Sequence, residues 1–183
     1  MEVARHGIKG ASMRGVAARA GMKAASIFHH FPDGKDQLVR AMLAHIMETI
    51  ATRMTPTIAA GSTLAPADLV VQCAALLWDF MAEHPEYAGA LMREAFAPDD
   101  EIIDLVRQNA EGVVQLATAY IEAGQASGQL GDFHVRRHLL RIASYAMTFH
   151  AAPSMPRAIL GAEWSIDEER AAFLASVRAE LMP

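Results

Sequence analysis

Two short helices joined by one tight turn are predicted over residues 12–35, and this stretch limits the possible folds more than any other. Ser12 is a good N-cap for a helix over about 13–19. Gly21 follows that helix and can take the positive φ that a sharp turn requires. A second helix is predicted over about 23–31, and Pro-Asp-Gly ends it. The stretch therefore has the form of a helix-turn-helix.

The rest of the chain reads as helices that proline and glycine separate, with no segment of sustained period-two alternation. The predicted helices cover residues 35–54, 66–83, 85–96, 100–126, 132–150 and 166–181. Pro56 and Gly61 are expected to end the first of these helices or the frayed turn after it. Asp132 is expected to cap the fifth helix, and Pro153 and Pro156 to break it.

These signals predict an all-α protein with two parts. The head, residues 1–45, is expected to be a three-helix unit whose first helix, near Met1–His6, is truncated. The body, residues 46–183, is expected to be a helical bundle for ligand binding and dimerisation.

Charge divides the chain in the same way. Residues 1–50 carry seven Lys or Arg against four acidic residues, a net charge of +3, whereas residues 51–183 carry nine basic against seventeen acidic residues, a net charge of −8. A basic end suits a nucleic-acid phosphate backbone, although a solvated charged face would have the same composition. No run approaches the roughly 20 apolar residues of a membrane span. The single cysteine, Cys73, excludes an internal disulfide framework and favours a cytoplasmic location.

The segment from Gly21 to Leu38 closely resembles the TetR family of transcriptional regulators. It reads Gly-Met-Lys-Ala-Ala-Ser-Ile-Phe-His-His-Phe-Pro-Asp-Gly-Lys-Asp-Gln-Leu, and residues 12–17 resemble the preceding helix of that family. The resemblance is specific over about residues 5–45 and looser beyond them. It implies a homodimer that binds a double-stranded DNA operator and responds to a small effector.

The resemblance also implies a set of DNA contacts. Ser26 and Lys23 would hydrogen-bond bases, and the two alanines between them would contact thymine methyl groups. His30 and Lys35 match phosphate-contacting positions, although His30 could be a buried core histidine and Lys35 a solvated lysine. The expected DNA-binding residues are Ser12, Arg14, Lys23, Ala24, Ala25, Ser26, Phe28, His29, His30 and Lys35.

In the body, large adaptable apolar side chains are candidates for an effector site, although methionine and aromatic residues at helical spacing also form ordinary cores. The expected ligand-binding residues are Trp78, Met81, Met92, Phe96, Tyr120, Tyr145 and Phe149. The last two long helices resemble the dimer surface of the family, and their apolar faces could equally be intramolecular core. The expected interface residues are Leu139, Ile142, Ala146, Ala171, Leu174, Ala175 and Arg178.

Nothing in the sequence indicates an enzyme, a metal or a cofactor. His134 and His138 have a metal-compatible spacing, but no third ligand accompanies them. No glycine-rich phosphate loop and no Gly-x-Ser-x-Gly elbow is present. The sequence favours a ligand-responsive repressor that binds a palindromic operator as a homodimer and is released by a small apolar effector. The alternative is an all-α small-molecule-binding or enzymatic bundle with a vestigial head.

Overall fold

The computed structural model describes residues 10–96, 100–161, 163 and 165–183, apart from a few side chains within the helices. Every regular element in this part of the chain is helical, which confirms the predicted all-α fold. The helices are α1 (Met13–Arg19), α2 (Ala24–His30), α3 (Lys35–Ala59), a 3-10 turn (Ala60–Thr63), α4 (Pro66–Glu83), α5 (Pro85–Phe96), α6 (Asp100–Ala126), α7 (Val135–Ala151), α8 (Ser154–Leu160) and α9 (Ile166–Leu181). The helix predicted near Met1–His6 lies outside the described residues.

Helices α1 and α2 pack on each other through a small apolar core. Met13, Ala17 and Ile27 are buried there, with Phe31 and Leu38 against them. Ala17 is small enough to let the two helices approach closely. The turn between the helices places Gly21 at φ 67°, as the sequence predicted.

Helix α3 runs from the head into the body. Near its start, Val39 and Leu43 share a buried cluster with Ala11 and Ala90. One and two turns later, Ile46 and Ile50 enter the main core of the body. The expected boundary at residue 45 therefore falls inside a continuous helix.

The predicted end of α3 near residue 54 was wrong, because the helix continues through Pro56 to Ala59. A proline this close to a helix end removes one backbone hydrogen bond, that to the Thr52 carbonyl. The neighbouring Ala51 carbonyl accepts a bond from the Thr55 hydroxyl at 2.8 Å. The additional turn carries Ile58 to the wall of the cavity described below.

The core of the body is centred on α4, which packs against α3, α7 and α9. Trp78 and Phe80 of α4 are each 1% exposed. Phe173 stacks on Trp78 with a ring-centroid distance of 5.1 Å, which holds α9 against α4. Helix α5 lies on α7, and α6 bridges α3 and α7.

The predicted N-cap of α7 was wrong, whereas the predicted end of the helix, near His150 and before Pro153, is confirmed. His134 rather than Asp132 is its N-cap, with Nδ1 accepting the Arg137 amide at 3.5 Å. The chain after α7 forms the short helix α8, with Pro153 at its N-cap position and Pro156 in its first turn. Proline is tolerated there because those backbone N–H groups have no partner within a helix.

None of the helices in the described part of the chain has the length and apolar composition that crossing a membrane requires.

Candidate nucleic-acid interface and ligand cavity

Ser12 begins α1 as the sequence predicted. Its Oγ accepts the Gly15 amide at 3.0 Å, so one of the unpaired amides of the first turn is satisfied. Arg14, in that turn, is exposed. A capped helix start with an exposed guanidinium is compatible with a phosphate contact.

Helix α2 turns one face inward and leaves the rest to solvent. Ile27 is 2% exposed and holds the helix on the head core, whereas Phe28 is 46% exposed. At the N-terminus, Lys23 occupies the cap position and makes no side-chain capping bond. The lysine ammonium group has only donors and cannot accept a bond from an amide, so this side chain is available for an outside partner.

The other expected contacts of α2 lie on its outward side. Ala24 and Ala25 are exposed and Ser26 is half-buried. His29 and His30 are both exposed, with their ring centroids 6.0 Å apart, so His30 is not a core histidine. This helix therefore presents small, hydroxyl, imidazole and ammonium groups on one accessible surface, which is the mixture that base edges and phosphates bind.

Lys35 is the first residue of α3 and is half-buried. The loop before it turns at Gly34, with φ 79°. The Asp33 amide donates to Gln37 Oε1 at 3.1 Å, which fixes the loop against the first turn of α3. Lys35 is thereby placed in the head, directly after the loop that follows α2. DNA contact by these ten residues stays a prediction.

A cavity of about 550 Å³ lies in the body between α3, α4, α6 and α7. Its size is typical of sites for drug-sized ligands. The walls that the described residues form are almost entirely aliphatic, and no charged side chain is among them. The lining residues are Ala51, Met54, Thr55, Ile58, Gly61, Leu69, Val70, Cys73, Ala74, Leu77, Val113, Val114, Leu116, Ala117, Tyr120, Ile121, Leu139 and Ile142.

Of the expected ligand-binding residues, Tyr120 lies at this cavity. Trp78 and Met81 are buried in the core instead. Tyr145 and Phe149 line a second, smaller cavity of about 270 Å³.

The two remaining expected ligand-binding residues lie on α5, and Met92 is not among the described residues that line the large cavity. The sulfur of Met92 is 4.0 Å from the Thr148 hydroxyl of α7. The side chain of Phe96 is outside the described part of the chain. Ligand contact by any of the seven expected residues stays a prediction.

Sequence reasoning missed most of the cavity wall because it favoured the largest side chains. The aromatic residues pack on one another: Tyr145 lies parallel to Phe173 at 5.2 Å, and Phe149 meets Trp78 at 5.7 Å. The wall is built from valine, leucine, isoleucine and alanine at ordinary helical spacing. The available signal was the continuation of the apolar spacing of α3 past Pro56, which places Met54 and Ile58 one turn apart.

The expected dimer-interface residues also fall in different environments. Ile142 and Ala146 are buried inside the protomer, Leu139 lines the large cavity, and Leu174 packs on the core. Buried side chains are covered by their own chain, so these positions offer little surface to a second copy. The exposed members of the expected set all lie on α9, namely Ala171, Ala175 and Arg178. Arg178 donates to Asp68 of α4 at 2.6 Å.

Buried histidines connect α7 to its neighbours. His138 is 5% exposed, and its Nδ1 lies 3.1 Å from Glu180 Oε2 on α9. The Arg141 guanidinium binds both oxygens of that carboxylate. Burial, and then the Arg141 charge, lower the pKa of His138, and burial lowers the pKa of His150 despite Asp79. Among the described residues, no three potential metal ligands come together.

Comparison with known proteins gives two results for this chain. Residues 1–42 match the family model described as bacterial regulatory proteins, tetR family. No curated protein sequence matches the chain.

Several solved structures share the fold of nearly the whole chain. A bacterial regulatory protein in the tetR family from Rhodococcus RHA1 is 16% identical, with a TM-score of 0.75, over 98% of this chain and 90% of that one. The transcriptional regulator FadR from Bacillus subtilis, in complex with stearoyl-CoA, is 14% identical, with a TM-score of 0.77, over 98% of this chain and 94% of that one. The ketosteroid transcriptional regulator KstR2 of Mycobacterium tuberculosis is 16% identical, with a TM-score of 0.70, over 99% and 89%.

The family-model match and the solved structures agree on the head, and the solved structures extend the likeness to the body. The described residues form a helix-turn-helix on a helical bundle with an internal cavity, and solved regulators have the same arrangement of helices. Residues 1–42 therefore match the tetR family of bacterial regulatory proteins, and the chain as a whole has the fold of a solved regulatory protein in that family.

Proposed function

We propose that the chain is a ligand-responsive transcriptional repressor that binds a palindromic operator as a homodimer and is released by a small apolar effector. One observation carries the proposal: α3 packs in the head at its start and lines the 550 Å³ cavity at its end. A single rigid element thus contacts both the candidate DNA-binding unit and the candidate effector site.

The exposed side of α2 supports the DNA-binding part of the proposal. The second helix of a helix-turn-helix lies in the major groove with its N-terminal residues against base edges. Lys23, Ala24 and Ala25 are exposed at that end, and Ser26 is half-buried beside them. Residues 1–50 carry a net charge of +3, so this end of the chain attracts the DNA phosphates, whereas the acidic body does not.

The position of α3 supports regulation by the cavity. Met54 and Ile58 line the cavity wall, while Val39 and Leu43, several turns earlier, are buried in the cluster near the head. A ligand that displaces the end of this helix would tilt its start and move the head with it. Coupling of this kind typically changes an affinity by about 1–3 kcal/mol.

The short reach of one head supports the homodimer, because one recognition helix covers only a short half-site. Dimers of helix-turn-helix proteins read two half-sites about 34–36 Å apart, or a multiple of that distance. Helix α9 exposes Ala171 and Ala175, and Leu140 of α7 is 66% exposed. Small residues permit close helix contact, so we assign the interface to the outer sides of these two helices.

The experiment is a gel shift of the full chain on the duplex upstream of its own gene, with two matched variants. Lys35→Ala should weaken binding to every sequence and reduce the salt slope by about one, because it removes a phosphate contact. Ser26→Ala should change the sequence preference and leave the salt slope unchanged. Absence of binding by the wild type at low salt would refute the proposal, and identical behaviour of the two variants would refute the assignment of α2.

A further inference from the structure

We propose that the large cavity selects an uncharged, largely apolar molecule with one oxygen atom, an alcohol or a ketone, and that this oxygen binds the Tyr120 phenol. Carboxylates and other ions are excluded from it. This inference rests on the proposed function only in calling the molecule an effector, since the binding itself requires no DNA.

The first argument is the absence of charge in the wall. Among the residues that the structure describes, none of those lining the cavity carries a charged side chain. Arg53, next to the lining residue Met54, is paired with Glu83 and lies 5.5 Å from the Phe80 ring centroid. An ion that leaves water for such a wall loses its hydration without gaining a counter-charge.

The second argument is the small number of polar groups at the cavity. Thr55, Cys73 and Tyr120 are the lining residues with a polar side-chain atom. The Thr55 hydroxyl already donates a hydrogen bond to the Ala51 carbonyl at 2.8 Å, and the Cys73 thiol is a weak donor. The Tyr120 phenol has no hydrogen-bond partner among the described residues. Tyr120 is therefore the strong donor that a ligand oxygen would meet.

The protonation state of Tyr120 supports the same role. Burial, and then the nearby Cys73, raise the pKa of this phenol. It therefore keeps its proton at neutral pH and can donate to a carbonyl or hydroxyl oxygen. One donor in an apolar wall favours ligands that possess an acceptor over ligands that do not, by about the contribution of one hydrogen bond.

The mouth of the cavity defines the rest of the ligand. Two lining residues are also among the exposed large apolar residues of the protein: Ile58 is 40% exposed and Leu116 is 58% exposed. They extend the apolar wall to the surface from α3 and α6. A flexible aliphatic chain can follow this surface inward, whereas a strongly hydrated group would lose its hydration there.

The experiment compares octanol, octane and octanoate as competitors for Nile red bound to the purified full chain. Octanol should bind at least about tenfold more tightly than octanoate, because the wall has no counter-charge. Tyr120→Phe should lower the affinity for octanol by about two- to tenfold, which is the effect of one hydrogen bond, and should leave the affinity for octane unchanged. Tyr87→Phe, a phenol outside the cavity, is the matched control and should change neither affinity.

A gain-of-function variant tests the charge argument directly. Leu116→Arg places a cation at the exposed mouth and should strengthen octanoate binding several-fold with little effect on octanol. Octanoate binding as tightly as octanol in the wild type, or an unchanged octanol affinity in Tyr120→Phe, would overturn the inference. So would failure of all three competitors to displace Nile red. These assays contain no DNA, so their outcome is independent of whether the gel shift supports the proposed repressor.

Discussion

Two glycines on α6 should respond oppositely to the same substitution. A Cβ built on Gly124 would lie 2.7 Å from Leu130 Cδ1 and 3.0 Å from Leu130 Cγ. Leu130 is 3% exposed and belongs to the main core, so it has little room to move away. A Cβ built on Gly112 would meet no atom within 4 Å. We therefore expect Gly112→Ala to stabilise the protein and Gly124→Ala to destabilise it relative to that variant.

The magnitude follows from two contributions. Alanine is favoured over glycine in a helix interior by up to about 1 kcal/mol, and this gain is common to both variants. Inserting a methyl group into a packed core costs about 1–3 kcal/mol, and this cost applies to Gly124 alone. The free energies of unfolding of the two variants should therefore differ by about 1–3 kcal/mol, with Gly112→Ala the more stable.

Urea unfolding followed by circular dichroism measures this difference, and thermal unfolding provides a second readout. Each kcal/mol should separate the two midpoints by about 2–4 °C in a chain of this size. Equal stability of the two variants would show that Leu130 can vacate its position. The tight packing described for Leu130 against the end of α6 would then be wrong.

Three further predictions concern the head and the titratable groups. Ser12→Ala removes the cap of α1 and should lower the free energy of unfolding by about 1 kcal/mol, whereas Lys23→Ser should raise it by up to about 1 kcal/mol; chemical denaturation measures both. Burial and Arg141 lower the pKa of His138, so the folded state binds fewer protons than the unfolded state below about pH 6.5. The stability that this group contributes is complete above that pH. It falls as the pH drops towards the lowered pKa, by at most about 1.4 kcal/mol per pH unit. His138→Asn should remove this part of the pH dependence of the unfolding free energy, measured between pH 7 and 5. Burial and a carboxylate on α9 raise the pKa of Tyr145 to about 12, so the last phenol to ionise in an ultraviolet titration should be absent from Tyr145→Phe.

Helix positions could be predicted from the sequence wherever one residue type decides a local conformation. Pro66 and Pro85 begin their helices at the residues expected, and Gly21 takes the positive φ that the turn needs. The prediction failed where the energetic cost of a proline is small, namely at the end of α3 and at the unpredicted helix α8. Pro56 lies within α3 near its end, and Pro156 lies in the first turn of α8, where no intrahelical bond is lost.

The candidate sites differ in how far the sequence could predict them. The outward positions of α2 follow from one helical turn and one buried residue, Ile27, so local periodicity suffices to place them. The cavity depends on where four helices fail to fill the space between them. Val113 at the cavity wall and Val177 in the solid core have the same side chain and helical setting, and only tertiary packing separates them.

The central claim, that the cavity controls the head through α3, has one direct test. The affinity of the full chain for the DNA upstream of its own gene should be measured without octanol and with octanol at a concentration that displaces Nile red completely. We expect the occupied cavity to weaken DNA binding by at least about fivefold, the lower end of typical coupling free energies. An unchanged DNA affinity with the cavity fully occupied would contradict the account.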